Sequence, residues 1–189
     1  FYLAMSRALD LLLALPEADP LRVAVSGLSG GGWQTIFISS LDTRVTLANP
    51  VAGYSSFRTR ARNFSDLGDS EQTPCDLGTV TDYALMTAML APRAALLTFN
   101  AKDNCCFGSD HALLPLLDAA RPIFQLYGRE PALQTSQPGP AIDLAAASAI
   151  WERHELATHT NSTLGINSSS LILLPPAEIV KTAIARERC

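Results

Sequence analysis

The stretch Leu21-Arg22-Val23-Ala24-Val25-Ser26-Gly27-Leu28-Ser29-Gly30-Gly31-Gly32-Trp33 decides the fold. Residues 21–26 are short, β-branched and apolar, the pattern of a buried strand, and they run straight into glycine. Residues 31–41 follow with no room for a loop, so the turn must launch a helix despite its β-branched content. Between the two lies Gly27-Leu28-Ser29-Gly30-Gly31, a G-x-S-x-G match in strand–turn–helix context. A side chain at the tip of such a turn needs small neighbours two positions away on each side, and Gly27 and Gly31 supply them.

Working outward, Val45-Thr46-Leu47-Ala48 predicts a second strand, ended by Asn49-Pro50, which completes a βαβ unit. Upstream, residues 1–15 read as a helix whose polar stripe is narrow (Ser6, Arg7 and Asp10), closed by Pro16 and Pro20. Residues 52–76 are rich in Gly, Ser, Arg and Asp and are long for a plain connection. Further elements are predicted as a helix over 77–91, a strand over 94–99, a helix over 111–120 and a strand over 123–127. Residues 129–140 carry three prolines and no pattern. An Ala-rich helix over 141–157, a polar stretch over 158–170, a strand over 170–174 and a helix over 177–187 complete the reading. Strands alternating with helices predict an α/β fold, a three-layer α/β/α sandwich with a mostly parallel sheet. Residues 1–157 form its core and 158–189 a divergent tail.

Composition excludes several classes. The chain has 189 residues, 18 acidic against 14 basic side chains, and a formal net charge of −4, a poor footprint for nucleic acid. No run approaches the ~18 apolar residues of a transmembrane helix. A chain of this length buries roughly two thirds of its unfolded surface and needs no metal to supply a core. Its four cysteines and three histidines lack zinc-site spacing, so neither a metal nor a cofactor is expected.

The chemistry centres on Ser29. The turn would lift its hydroxyl above the sheet edge and aim the Gly30 backbone N–H at the same point, one half of an oxyanion hole. Two other readings stay open: a serine that only caps a helix, and a glycine turn that binds phosphate. No lysine follows to complete a phosphate loop, and residue 29 stands where a dinucleotide turn wants its second glycine. A serine nucleophile needs a base oriented by an acid. Asp103 suits the acid, because it leaves strand 94–99 at the edge where α/β active sites collect. Asp66, Asp69 and Glu71 are alternatives for the acid or for substrate contact. His154 is the candidate base, with His159, His111 or no histidine at all as alternatives, because none directly follows strand 123–127. Trp33, Tyr54 and Phe57 are candidates to line a substrate pocket and equally candidates for core or cover.

Read together, 22–35 (RVAVSGLSGGGWQT), 45–56 (VTLANPVAGYSS), 66–76 (DLGDSEQTPCD), 92–107 (PRAALLTFNAKDNCCF) and 122–128 (PIFQLYG) resemble α/β-hydrolase-fold serine esterases. The resemblance is to those close to acetyl xylan esterases and dienelactone-hydrolase-like proteins, and it covers roughly residues 1–139. It implies Ser29 as nucleophile, Asp103 as acid and a small or carbohydrate ester as substrate, cleaved through an acyl-enzyme. The family carries its base in a Pro-Gly-x-His-Asn segment; here Pro138-Gly139-Pro140-Ala141-Ile142 puts Ala141 at that position. Family members also have several strands ahead of the elbow. Two expectations follow. The chain is an esterase recruiting His154 or His159, or else an inactive relative or a truncated or frame-altered copy serving as a binding domain. If those earlier strands are absent, its first strand forms an unpaired sheet edge, a route to oligomers.

Overall fold

The computed structural model describes residues 1–74, 76–103, 105–138 and 170–173. Its centre is a five-stranded sheet in the order β4-β3-β2-β1-β5, from β1 (Val23–Leu28), β2 (Leu47–Val51), β3 (Ala94–Thr98), β4 (Leu133–Ser136) and β5 (Ser170–Leu173). β1 to β4 are parallel, and β5 runs antiparallel along β1. The α/β class with a mostly parallel sheet is therefore as the sequence predicts. The predicted helices over 141–157 and 177–187 lie outside the described residues.

Five helices accompany the described sheet: α1 (Tyr2–Leu13), α2 (Gly30–Leu41), α3 (Phe57–Arg60), α4 (Tyr83–Ala88) and α5 (Ser109–Leu126). From β1 to β4 each strand is placed beside its predecessor on the same side. Right-handed crossovers then put the connecting helices on one face of the sheet. Register agrees, because Val25, Ala48 and Ala95 are neighbours across the ladders and therefore share a face. On that face α1, Ile38 and Val45 bury Val23 and Val25, while α2, α4 and α5 close over Ala48, Ala95 and Leu97. Burying ten or so large side chains, at about 2 kcal/mol each, is what fixes the helices on the sheet. Arg44 joins two neighbouring helices of this layer, since it donates to Asp10 of α1 (2.6 Å) and to Asp42 just beyond α2 (2.6 Å).

Three elements depart from their sequence prediction. Residues 123–127 are not a strand but the end of α5. The buried positions Ala112, Leu113, Leu116, Leu117, Ala120 and Phe124 keep helical spacing through Pro115 and Pro122, and the helix stops at Gly128, whose φ is +61°. The strand beyond it is β4, which carries a half-buried Leu133 and then three exposed residues, too polar to show alternation. β2 runs through Asn49-Pro50 instead of ending there. Its pairing with β3 skips both residues, and Asn49 Oδ1 accepts from the Thr98 hydroxyl at 3.0 Å in their place. Finally, the helix predicted over 77–91 is a 3-10 turn (Leu77–Thr79) followed by α4, because Asp82 leaves the helical path to accept the Phe57 N–H at 2.9 Å.

The outer edge of β1, expected to be open, is paired with β5 from Val23↔Leu173 to Ser26↔Ser170. That route to oligomers is closed along this ladder.

Candidate active site

Ser29 stands between β1 and α2 with φ +58° and ψ −116°, a conformation that L residues rarely adopt. Holding it there costs about 1–3 kcal/mol, and neighbouring bonds hold it. The Ser29 N–H donates to Val51 O (2.9 Å), and its carbonyl accepts from the N–H groups of Gly32 (2.8 Å) and Trp33 (3.1 Å). The helix ladder thus starts at Gly32, which leaves the Gly30 and Gly31 N–H groups as the first orphan donors of α2, beside a half-buried serine. Glycine is required where the chain doubles back: a Cβ on Gly27 would sit 2.6 Å from the Gly31 carbonyl carbon. Ser29 makes no side-chain cap to α2, so the helix-capping alternative has no contact to support it.

Asp103 follows β3 at the same, C-terminal, edge of the sheet, with only β2 between its strand and that of Ser29. Two strand spacings amount to about 10 Å. The half-buried Asp103 carboxylate is held at both oxygens. Oδ1 accepts the N–H groups of Cys105 (2.9 Å) and Cys106 (3.3 Å), and Oδ2 accepts Asn100 Nδ2 at 2.7 Å. Beside it opens a polar cleft of about 230 Å³, lined by Ser65, Lys102, Asp103, Cys105, Asp110 and His111. Ser29 is not among its walls.

His111 is the one described histidine, and both its ring nitrogens face carboxylates. Nε2 lies 3.1 Å from each oxygen of Asp66, and Nδ1 lies 2.6 Å from Asp110 Oδ1. Burial opposes charge on the ring, but the bonds to Asp66 and Asp110 outweigh it and raise its pKa above the usual value. Asp66 is fully buried and also accepts the Phe107 N–H at 2.7 Å. Among the described residues, then, no imidazole is left to serve Ser29. His154 and His159 lie outside them.

The remaining candidates are dispersed. Trp33 (5 % exposed) and Tyr54 (0 %) are core residues instead of cleft walls. Trp33 Nε1 donates to the Tyr83 hydroxyl (2.6 Å), which donates to Gln72 O (2.7 Å). Tyr54 packs on Tyr83 and Phe99, and burial pushes its phenol pKa up. Glu71 and Asp69 are exposed on the 3-10 turn over 70–72. Phe57 is half-buried against Tyr83. Sequence reasoning missed Arg60, the buried hub of the long 52–76 connection. It donates to Ser55 O, Gln72 O and Thr73 Oγ1 and lies over the rings of Tyr83, Phe107 and Phe57. An arginine-rich loop signals such a hub only weakly. Among the described residues no group of three or more His, Cys, Asp or Glu could hold a metal, and no helix is long and apolar enough to cross a membrane.

Known proteins share this architecture. No family model matches the sequence, and no curated protein is similar to it in sequence. Solved structures do match. A promiscuous CE15 esterase from a marine bacterial metagenome superposes with a TM-score of 0.59 at 18 % identity, over 79 % of this chain and 45 % of that one. The catalytic domain of a glucuronoyl esterase from Hypocrea jecorina gives 0.59 at 19 %, over 85 % and 52 %. A glucuronoyl esterase from Sporotrichum thermophile, in complex with methyl 4-O-methyl-β-D-glucopyranuronate, gives 0.57 at 16 %, over 85 % and 52 %. The chain has the fold of these α/β-hydrolase-like esterases and spans about half their length.

Proposed function

We propose that this chain carries the nucleophile and acid of a serine carboxylic-ester hydrolase acting on carbohydrate esters. The observation that carries the reading is the backbone of Ser29, a strained elbow with orphan N–H groups behind it. The esterase neighbours of the same fold and the uronate ester held by one of them support the substrate class.

The chemistry proceeds from these parts. Ser29 Oγ attacks the ester carbonyl as a base takes its proton, and the Gly30 N–H stabilises the oxyanion that forms. Collapse passes the proton to the departing alcohol and leaves an acyl-serine. Water, activated by the same base, then releases the acid. Asp103 holds the base in the correct tautomer from two strands away. In this scheme His154 is the base, as the sequence suggested.

Labelling with a fluorophosphonate, which reacts only with an activated serine, tests the proposal. Stoichiometric labelling that disappears in Ser29→Ala, with turnover of a sugar ester, supports it. Labelling that survives the substitution overturns it.

A second reading is favoured by one observation, the commitment of both His111 nitrogens to carboxylates. On that reading the cleft binds a carbohydrate ligand without turnover. Sugar-ester binding seen by calorimetry, with no fluorophosphonate labelling, would select it.

A further inference from the structure

We propose that Asp66 and His111 are a positioning pair for Asp103, bracing its loop from the neighbouring loop across the sheet edge. This deepens the esterase reading and rests on it only for the role of Asp103. The geometry stands apart from any activity. Three consecutive backbone N–H groups end on two carboxylates: those of Cys105 and Cys106 on Asp103, and that of Phe107 on Asp66. Asp103 belongs to the loop after β3, and Asp66 to the connection after β2. The segment that holds the acid is therefore tied at its next residue to a different part of the chain.

That tie is made where the backbone needs it. Phe107 has φ +59°, a left-handed conformation unusual for a bulky side chain, and it is buried at 3 % exposure. Without the Asp66 bond the turn would relax toward a commoner conformation and carry the Cys105 and Cys106 N–H groups with it. Asp66 is fully buried, and the groups that face it are the Phe107 N–H, the His111 ring, the Ser65 hydroxyl and, behind it, the buried Arg60 guanidinium.

His111 makes the brace sensitive to protons. A ring with a carboxylate at each nitrogen must carry two protons, because a lone pair would otherwise face an anion. The charged groups around it are Asp66 from the 3-10 turn Phe64–Asp66, Asp110 from its own helix, and Asp103 and Lys102 from the cleft wall; Arg60 of α3 stands behind Asp66. Loss of one proton removes the donor from Nδ1 or Nε2. When Nε2 loses it, the buried Asp66 is left without its main neutralising partner.

Amide hydrogen exchange on the full chain, read residue by residue by NMR, tests this without any need for catalysis. Loss of the charge-assisted bond that holds Asp66 should lower protection at Phe107 roughly ten- to a hundredfold as His111 titrates above its ordinary pKa. Protection at Cys105 and Cys106 should fall with it. In His111→Gln the three amides should show no such step. In Asp66→Asn, protection should be reduced at every pH; in an active enzyme kcat should fall while KM holds. Protection at Cys105 and Cys106 that stays constant while Phe107 opens would overturn the proposal, as would three amides indifferent to His111 titration. If Asp66→Asn fails to fold, the titration of the unmodified chain decides alone. Loss of fluorophosphonate labelling at Ser29 would bear on the esterase reading and leave this result intact.

Discussion

The α-carbon of Gly53 is pressed against the carbonyl of Ser29, so that a methyl group on it would stand 1.7 Å from the Ser29 oxygen. The chain after β2 therefore forms the floor of the elbow. Gly53→Ala meets both this contact and a φ of +82°, and should destabilise the fold by about 3 kcal/mol. It should also slow fluorophosphonate labelling at least tenfold, as measured alongside a urea melt.

Ser29 itself should trade stability for reactivity. With φ at +58°, Ser29→Gly relieves the strain and should gain about 1 kcal/mol, while Ser29→Ala keeps the strain and should lie within ~0.5 kcal/mol of the parent. Both should abolish labelling. Equal stability of the two variants in denaturant would show that the elbow is unstrained.

The Trp33–Tyr83–Gln72 relay predicts a large cost for one oxygen. Tyr83→Phe leaves the buried Trp33 Nε1 donor without its partner, while Gln72 O keeps the Arg60 guanidinium, and should cost about 2 kcal/mol. Ser29 labelling at saturating probe should be unchanged, because the relay belongs to the core.

On the alkaline side, stability should depend on His111. Its folded pKa is raised, so its contribution is complete below the unfolded value of about 6.5 and is lost as pH climbs through the folded pKa. Melting temperatures taken from pH 6 to 9 should decline more steeply for the parent than for His111→Gln.

On the acid side Asp42 has the opposite sign. The Arg44 guanidinium lowers its pKa, so its contribution is present above the unfolded value near 3.8 and disappears as pH falls through the folded one. Arg44→Ala should flatten this acid limb and loosen α1 from α2, lowering the melting temperature at neutral pH.

Much of this architecture was legible in residues 21–51, since a β-branched run, a glycine turn and a second apolar run leave little choice but a parallel βαβ unit. Asp103 was placed at the correct sheet edge because a strand as apolar as 94–99 admits one exit. The rest was hidden for identifiable reasons. Ile123 to Tyr127 has strand-like composition, yet Phe124 continues the buried face of α5, and packing outweighs propensity there. Trp33 and Tyr54 read equally as cleft or core aromatics, because exposure cannot be read from residue type. The brace at Asp66 depends on contacts between residues about 40 positions apart, such as Phe107 with Asp66, which no local spacing encodes.

The ladder between β1 and β5 joins positions about 145–150 residues apart, by far the longest reach in the sheet. Closing so large a loop carries an entropic penalty of about 4 kcal/mol, to be recovered over four residues of strand. Such a contact of high contact order belongs late in folding, after the local βαβ units have condensed. Val23–Ser26 should therefore gain amide protection against β5 last among the ladders of the sheet during refolding.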